Sequence, residues 1–140
     1  IIKATVYQSF FCHCHVYCNC MRCEPVSTSG ITRLHCQVFG YSHSDLTDEM
    51  YKNAAMHDKN GAWQMIFGVN TLPDYRKHGY AGKLICRAID EARQQGRKGL
   101  VLTCKEKLVP YYAKFGFSDE GVSDKSTHGN VVWHQMRLAF

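Results

Sequence analysis

Residues 76–83 form a basic, glycine-containing turn that reads Arg76-Lys77-His78-Gly79-Tyr80-Ala81-Gly82-Lys83. The segment before the turn, residues 62–69, is apolar enough to predict a strand buried on both faces. The segment after it carries apolar residues three and four positions apart, which predicts an amphipathic helix ending near Gly96. The members of that apolar face are Ala81, Leu84, Ile85, Ala88, Ile89 and Ala92. The turn therefore joins a buried strand to a helix start.

The start of a helix suits an anion, because its first backbone N–H groups are unpaired and lie at the positive end of the helix dipole. Gly79 and Gly82 carry no side chains, so a phosphate can approach the backbone there, while Arg76 and Lys77 add positive charge. This combination predicts an anionic ligand of pyrophosphate size. The spacing fits neither G-x-x-x-x-G-K-[ST] nor G-x-G-x-x-G. An ordinary loop with solvated charges remains the alternative on these residues alone.

The remaining elements extend the pattern to the end of the chain. Residues 99–104 predict a second buried strand, and residues 107–115 predict a helix with Pro110 in its first turn. Residues 117–122 and 131–139 predict two further strands, and a short helix is expected from Asp45 to about residue 57. The order from residue 62 onward is therefore β-α-β-α-β-β. It predicts an α/β (α+β) fold with a mixed central sheet flanked by helices.

The composition limits the possible classes of protein. The 140 residues predict one domain, residues 1–140, and no apolar run is long enough to span a membrane. The net charge of +5 is not spread along one face, so no nucleic-acid or membrane partner is expected. No signal peptide is recognisable, and we expect a cytosolic protein. The chain begins at Ile1 instead of Met, so its true start is expected to be missing or processed.

Three motifs in this order resemble the GNAT (GCN5-related) N-acetyltransferase superfamily. The first is Arg76-x-x-Gly79-x-Ala81, which matches the family pattern R/Q-x-x-G-x-G/A. The second is LVPYYAKFGF at residues 108–117, and the third is STHGNVVWHQMRL at residues 126–138. The last two resemble arylalkylamine N-acetyltransferases and their bacterial relatives. The resemblance covers about residues 45–140.

The resemblance implies an enzyme that transfers an acetyl group from acetyl-CoA to a primary amine. It places Phe67, Gly68 and Val69 beside the pantetheine arm and the acetyl carbonyl, and residues 76–83 around the pyrophosphate. Tyr112 matches the family tyrosine that protonates the departing thiolate, whose pKa of about 8.5 requires only a weak acid. The implied mechanism is direct attack by a neutral amine, without an acyl-enzyme or a metal. Homodimers are common in the family.

The sequence departs from the arylalkylamine pattern where that group has two histidines. Trp63 and Met65 occupy those positions, and neither is a base. His128 and His134 are the available substitutes, although His134 is more simply explained as a half-buried strand residue and His128 as a solvated loop residue. Cys104 ends a predicted buried strand and is interpreted as packing.

The first 44 residues form an atypical part that contains six of the eight cysteines. Residues 11–23 read FCHCHVYCNCMRC, and residues 37–41 resemble a remnant of a strand entering a hairpin. Three explanations stay open: a divergent fold, a misread coding stretch, or a metal site. Paired ligand spacing is incomplete, so no metal is expected.

Three functions therefore compete. The first is an N-acetyltransferase acting on a small molecule or peptide amine. The second is a non-catalytic acetyl-CoA-binding module, and the third is a metal-binding protein built on the Cys/His tract.

Overall fold

The computed structural model describes residues 34–140, which form five strands, three α-helices and four short 3-10 turns. The strands are β1 (Leu34–Tyr41), β2 (Trp63–Thr71), β3 (Gly99–Cys104), β4 (Ser118–Val122) and β5 (His134–Ala139). The helices are α1 (Asp48–Lys52), α2 (Tyr80–Gln94) and α3 (Val109–Ala113). The Cys/His tract at residues 11–23 lies outside the described residues, so the three explanations for it stay open.

The strands form one mixed sheet in the order β1-β2-β3-β5-β4. Only β2 and β3 run parallel, while the other neighbouring pairs are antiparallel. The predicted β-α-β-α-β-β order and mixed sheet are confirmed. The segment at residues 37–41 belongs to β1, which pairs antiparallel with β2. The two strands are joined through α1 and a 3-10 turn, so the predicted strand is present but no tight hairpin follows it.

The parallel pair β2–β3 separates partway along its length. Pairing runs from Trp63 opposite Gly99 to Ile66 opposite Leu102 and then stops, although β2 continues to Thr71. On its other side, β2 contains a bulge at Phe67, because Val38 pairs with Ile66 while Gln37 pairs with Gly68. A bulge bends its strand and increases the local twist. Consequently, the edges of β2 and β3 that face each other are open beyond residue 66.

The two faces of the sheet are covered differently. On one face, α2 and α3 bury an apolar cluster that we call the helical face. Its fully buried members include Leu84, Ile85, Ala88, Leu100 and Met136. The opposite face carries a smaller cluster, called here the α1 face, formed by Tyr41, Leu46, Met50, Met65 and Val101.

Several predicted boundaries were wrong, three of them with an identifiable physical reason or a change of helix type. The helix expected from Asp45 to residue 57 is interrupted at Asn53, whose side chain accepts a 3.1 Å hydrogen bond from the N–H of Ala55 and starts a separate 3-10 turn. The helix expected at residues 107–115 starts as a 3-10 turn and is α-helical only over Val109–Ala113, with Pro110 in the first turn as predicted. The last strand begins at His134 instead of residue 131, because Trp133 is held by hydrogen bonds to the preceding loop.

The longest helix among residues 34–140 is α2, with 15 residues. No helix in this part of the chain is long and apolar enough to cross a membrane.

Candidate functional site

The turn at residues 76–79 enters α2 through a left-handed backbone. Lys77 has φ 63° and Gly79 has φ 77°, and Gly79 is the N-cap of the helix without any side-chain capping bond. The backbone N–H groups of Tyr80, Ala81 and Gly82 donate to no other described residue. A Cβ added at Gly79 would meet no residue of the described chain within 4 Å, so this part of the chain leaves the space in front of the helix start open. The turn therefore presents three free donors at the positive end of a 15-residue helix.

Basic side chains surround the same helix start. The Arg76 Nε atom donates to the carbonyl of Thr71 at 3.1 Å, which ties the turn to the end of β2. His78 stacks on Tyr80 with ring centroids 5.8 Å apart, and the Lys83 Nζ atom lies 5.8 Å from the same ring. Arg76, Lys77 and His78 are all exposed. The predicted charge cluster is thus assembled at the free N–H groups.

Gly82 has a packing role that the sequence did not reveal. A Cβ at this position would lie 3.2 Å from the Phe115 ring and 3.9 Å from the Tyr111 hydroxyl. The bare backbone of α2 therefore lets the segment carrying α3 approach closely. Gly79, by contrast, faces open space.

Tyr112 lies on α3 and packs, half-buried, against the same core cluster as Val69. Its ring is edge-on to Tyr111 at 5.3 Å and to Phe117 at 6.2 Å. The cluster brings Tyr112, α2 and the end of β2 onto the helical face. The role of Tyr112 as the acid stays a prediction.

The three residues predicted to line the pantetheine arm lie where β2 leaves β3. Phe67 packs on the α1 face, 4.7 Å from the ring of Tyr51 and 5.7 Å from that of Tyr41. Val69 packs on the helical face, and Gly68, which pairs with Gln37 of β1, lies between them. A Cβ added at Gly68 would lie 3.5 Å from the Asn70 side chain. The backbone edge that β3 leaves unpaired at these residues is therefore bordered by the α1 face on one side and by the helical face on the other.

Thr103 was not identified from the sequence. It follows Leu102, where the β2–β3 pairing ends, and its buried hydroxyl forms no hydrogen bond of good geometry within the described residues. Burial raises the pKa of Tyr51, and the nearby Thr103 hydroxyl opposes that shift. The Thr103 hydroxyl therefore lies buried beside Tyr51 at the open edge.

The two histidines named as possible bases lie on opposite faces of the sheet. On the α1 side, the His128 Nδ1 atom is 2.7 Å from an Asp48 oxygen. His134 lies on β5 with Met136, on the helical face, and its Nδ1 atom is 3.2 Å from both Asp119 oxygens. His134 is half-buried, as the simpler explanation for it required.

Trp63 and Met65, which occupy the positions of the two histidines in the arylalkylamine pattern, contribute to packing. Met65 is fully buried, and the Arg137 guanidinium lies 4.6 Å from the Trp63 ring.

Cys104 is also buried, and burial together with the charge of Asp119 raises the pKa of its thiol to about 11. A thiol that stays protonated is a poor nucleophile, which agrees with the packing interpretation.

A polar cavity of about 200 Å³ lies at the β4 edge and contains none of the predicted site residues. Two of its carboxylates are already paired: Asp45 with the Lys125 Nζ atom at 2.6 Å, and Glu120 with Gln135 at 2.7 Å. Among residues 40–140, no three His, Cys, Asp or Glu side chains are grouped to hold a metal ion.

Comparison with known proteins gives one family match. The family described as "Acetyltransferase (GNAT) family" matches residues 37–117. These residues include β1 from Gln37 onward, the whole of β2, the glycine turn, α2, β3 and α3. The match thus covers every element that forms the open edge and the helix start.

Solved structures with the same fold are distant in sequence. The loading GNATL domain of CurA from Lyngbya majuscula has a TM-score of 0.63 at 11% identity over 81% of this chain and 73% of its own. The NatC complex bound to Gag peptide and CoA gives 0.55 at 16% identity over 81% of this chain and 66% of that one. A GNAT-family protein from Desulfovibrio desulfuricans gives 0.55 at 14% identity, covering 81% and 64%. The chain spans only 54 to 58% of several other structures that it matches.

Proposed function

The chain belongs to the GNAT acetyltransferase family, and from this premise we propose that it transfers the acetyl group of acetyl-CoA to a primary amine. The proposed acceptor is an amine of a small molecule or a peptide. Attack on the thioester is direct, and acetyl-CoA is a co-substrate.

The observation that carries this proposal is the open edge between β2 and β3 beside the α2 helix start. An extended arm with amide groups would fit an open strand edge, because Phe67, Gly68 and Val69 offer backbone groups that β3 does not pair. A diphosphate attached to that arm would meet the free N–H groups of α2. CoA combines both chemical features in one molecule.

In the proposed reaction, the backbone groups and the side chains of the site have separate roles. Residues 76–83 hold the diphosphate through Gly79, Tyr80, Ala81 and Gly82 backbone groups, while Arg76, Lys77, His78 and Lys83 supply charge. The backbone at Gly68 and Val69 polarises the thioester carbonyl. The phenol of Tyr112 gives its proton to the CoA thiolate as the C–S bond breaks.

The proposed compartment is the cytosol. Cys86 and Cys104, the two cysteines that follow β1, are both free thiols. Free thiols are typical of a reducing compartment. A homodimer stays an untested expectation.

Two measurements on the full chain test the proposal. Titration calorimetry with acetyl-CoA is expected to show a single binding site. An assay of CoA release is then run with phenylethylamine, spermidine and a short peptide with a free α-amine, and at least one amine is expected to accelerate release. Binding without any acceleration would favour the non-catalytic module, and the absence of binding would refute both.

A further inference from the structure

Asp48 and His128 are 80 positions apart in sequence but form one hydrogen-bonded pair. The His128 Nδ1 atom lies 2.7 Å from one Asp48 oxygen. The other oxygen accepts the Thr127 N–H at 2.9 Å and the Thr127 hydroxyl at 3.0 Å. A carboxylate at Nδ1 favours the tautomer with its proton on that atom and leaves Nε2 with a free lone pair. Nε2 has no hydrogen bond to any residue described in this structure.

The carboxylate of this pair stays ionised. Desolvation by burial is the largest single influence on Asp48 and would raise its pKa. The hydrogen bonds from Thr127 and His128, together with the His128 charge, outweigh it and lower the pKa to about 2. An ionised Asp48 therefore orients the imidazole and stabilises it when it becomes protonated.

Aromatic contacts fix the ring close to the open edge. His128 stacks on Trp133 with centroids 4.5 Å apart, and the Trp133 indole N–H donates to the His128 carbonyl at 2.9 Å. Tyr51 lies 4.7 Å from His128 on the other side, and its ring is also 4.7 Å from Phe67 at the β2 bulge. The chain of contacts runs from His128 through Tyr51 to the residue where β2 leaves β3.

The surroundings of His128 distinguish it from a purely structural histidine. Its side chain is 37% exposed, whereas that of His134 is 16% exposed. Asp48 and Tyr51, both from α1, are the titratable groups in contact with it, since its other neighbours, Thr127 and Trp133, do not titrate. The exposed imidazole is thus accessible from the α1 face, on the side of the sheet opposite Tyr112.

We propose that His128, positioned by Asp48, is the base that accepts a proton from the ammonium form of the substrate at the α1 face. This inference rests on the proposed acetyl transfer. The ammonium gives one proton to Nε2, and the neutral amine forms the C–N bond with the thioester carbon. The C–S bond breaks, Tyr112 protonates the thiolate, and the remaining extra proton on nitrogen restores the Tyr112 phenol. His128 returns its proton to solvent, so one amide, one CoA thiol and one proton are formed.

The test compares His128→Gln with His134→Gln in the full chain, using the panel amine that the wild type acetylates fastest. At about pH 7 we expect kcat/KM of His128→Gln to fall about 100-fold or more. His134→Gln is the matched control, because it replaces a histidine that also pairs with an aspartate, and it is expected to stay within about threefold. Acetyl-CoA affinity, measured by calorimetry, is expected to be unchanged in both variants.

The pH profile distinguishes a histidine that acts as a base from one that only supports the structure. Without His128, the rate depends on the neutral amine that solvent supplies, which rises about tenfold per pH unit below the amine pKa, about 10 for an alkylamine and about 8 for a peptide α-amine. The ratio of wild-type to His128→Gln activity is therefore expected to shrink by about tenfold per unit from about pH 7 up to the pKa of the amine used. A histidine that only supports the structure would give a ratio of activities that does not change with pH.

Three outcomes would overturn the inference. A ratio that does not change with pH, or a His128→Gln activity within threefold of the wild type, refutes the base role alone. A wild-type chain that binds acetyl-CoA but acetylates no amine of the panel refutes the proposed function and the base role together.

Discussion

The two faces of the sheet are built from different kinds of sequence. The helical face is covered by α2, whose apolar residues recur with helical period and are buried at Leu84, Ile85, Ala88 and Ala92. The α1 face is covered by a five-residue helix and by irregular segments whose aromatic and polar side chains come from distant positions. Apart from Phe67, the side chains assigned to the cofactor and to thiolate protonation lie at the helical face or at the start of α2, and the α1 face holds those assigned to the amine. The proposed cofactor site is thus built mainly from periodic secondary structure, and the proposed amine site from irregular segments.

The largest predicted effect lies at the start of α2. Gly79→Asp is expected to weaken acetyl-CoA binding by at least about 100-fold, or about 2.8 kcal/mol, because it adds a negative side chain in front of free N–H groups. Titration calorimetry measures the change. Gly96→Asp is the matched control, since Gly96 has φ 68°, nearly the 77° of Gly79, and an equally open Cβ position. Both variants carry the backbone strain of a non-glycine residue at positive φ, about 1–2 kcal/mol, but only Gly79→Asp is expected to lose the cofactor.

An equal loss of binding in the two glycine variants would assign the effect to strain. It would remove the helix start from the proposed cofactor site.

The second prediction tests Tyr112 against its neighbour. Tyr112→Phe is expected to lower kcat about 100-fold, the usual size of a general-acid contribution, with acetyl-CoA affinity changed less than about twofold. Steady-state kinetics and calorimetry give the two quantities. Tyr111→Phe is the control, because Tyr111 faces Phe115 and the α2 backbone. If Tyr112→Phe keeps the wild-type kcat, Tyr112 is not the acid.

The third prediction concerns the α1 face. Asp48→Asn is expected to lower kcat/KM about tenfold, because the amide no longer holds His128 in one tautomer. Asp119→Asn, which removes the carboxylate beside His134, serves as the control and is expected to have little effect. The double variant Asp48→Asn/His128→Gln is expected to be no slower than His128→Gln alone, since residues that act as one unit are not additive. Fully additive losses would contradict a shared role.

The smallest predicted effect is an acid-dependent loss of stability at Asp45. A hydrogen bond from Lys125, with further hydrogen bonds from Gln135 and Arg137, lowers the pKa of Asp45 from 3.8 to about 2. This stabilisation is present above the unfolded-state pKa and is lost as the pH falls through the folded value. After allowance for partial exposure, it amounts to about 1 kcal/mol.

Urea unfolding at about pH 5 and about pH 2.5 checks this value in Asp45→Asn. The variant is expected to lose about 1 kcal/mol less than the wild type on acidification. Equal losses in both chains would show that Asp45 makes no net contribution.

Much of the helical face could be predicted, because its helices and strands depend on sequence patterns within short segments. The periodicity of residues 81–92 indicates α2, and the apolar run at residues 99–104 corresponds to β3 with the same bounds. Pro110 is restricted to a first helical turn by its missing N–H, and it lies in the first turn of α3. The interruption at Asn53 was missed, because a side-chain hydrogen bond to the nearby backbone prevailed over helix propensity.

Sequence alone determined the helix start at Gly79, the strand and helix order, and the family resemblance, because these depend on neighbouring residues and on backbone angles that few residues adopt. Only the tertiary structure decided where β2 leaves β3, that the Thr103 hydroxyl lies buried there, and that Asp48 meets His128. Those features depend on pairing between distant strands and on contacts across 80 positions. Neither periodicity nor propensity records such contacts, since the residues involved become neighbours only when the sheet forms.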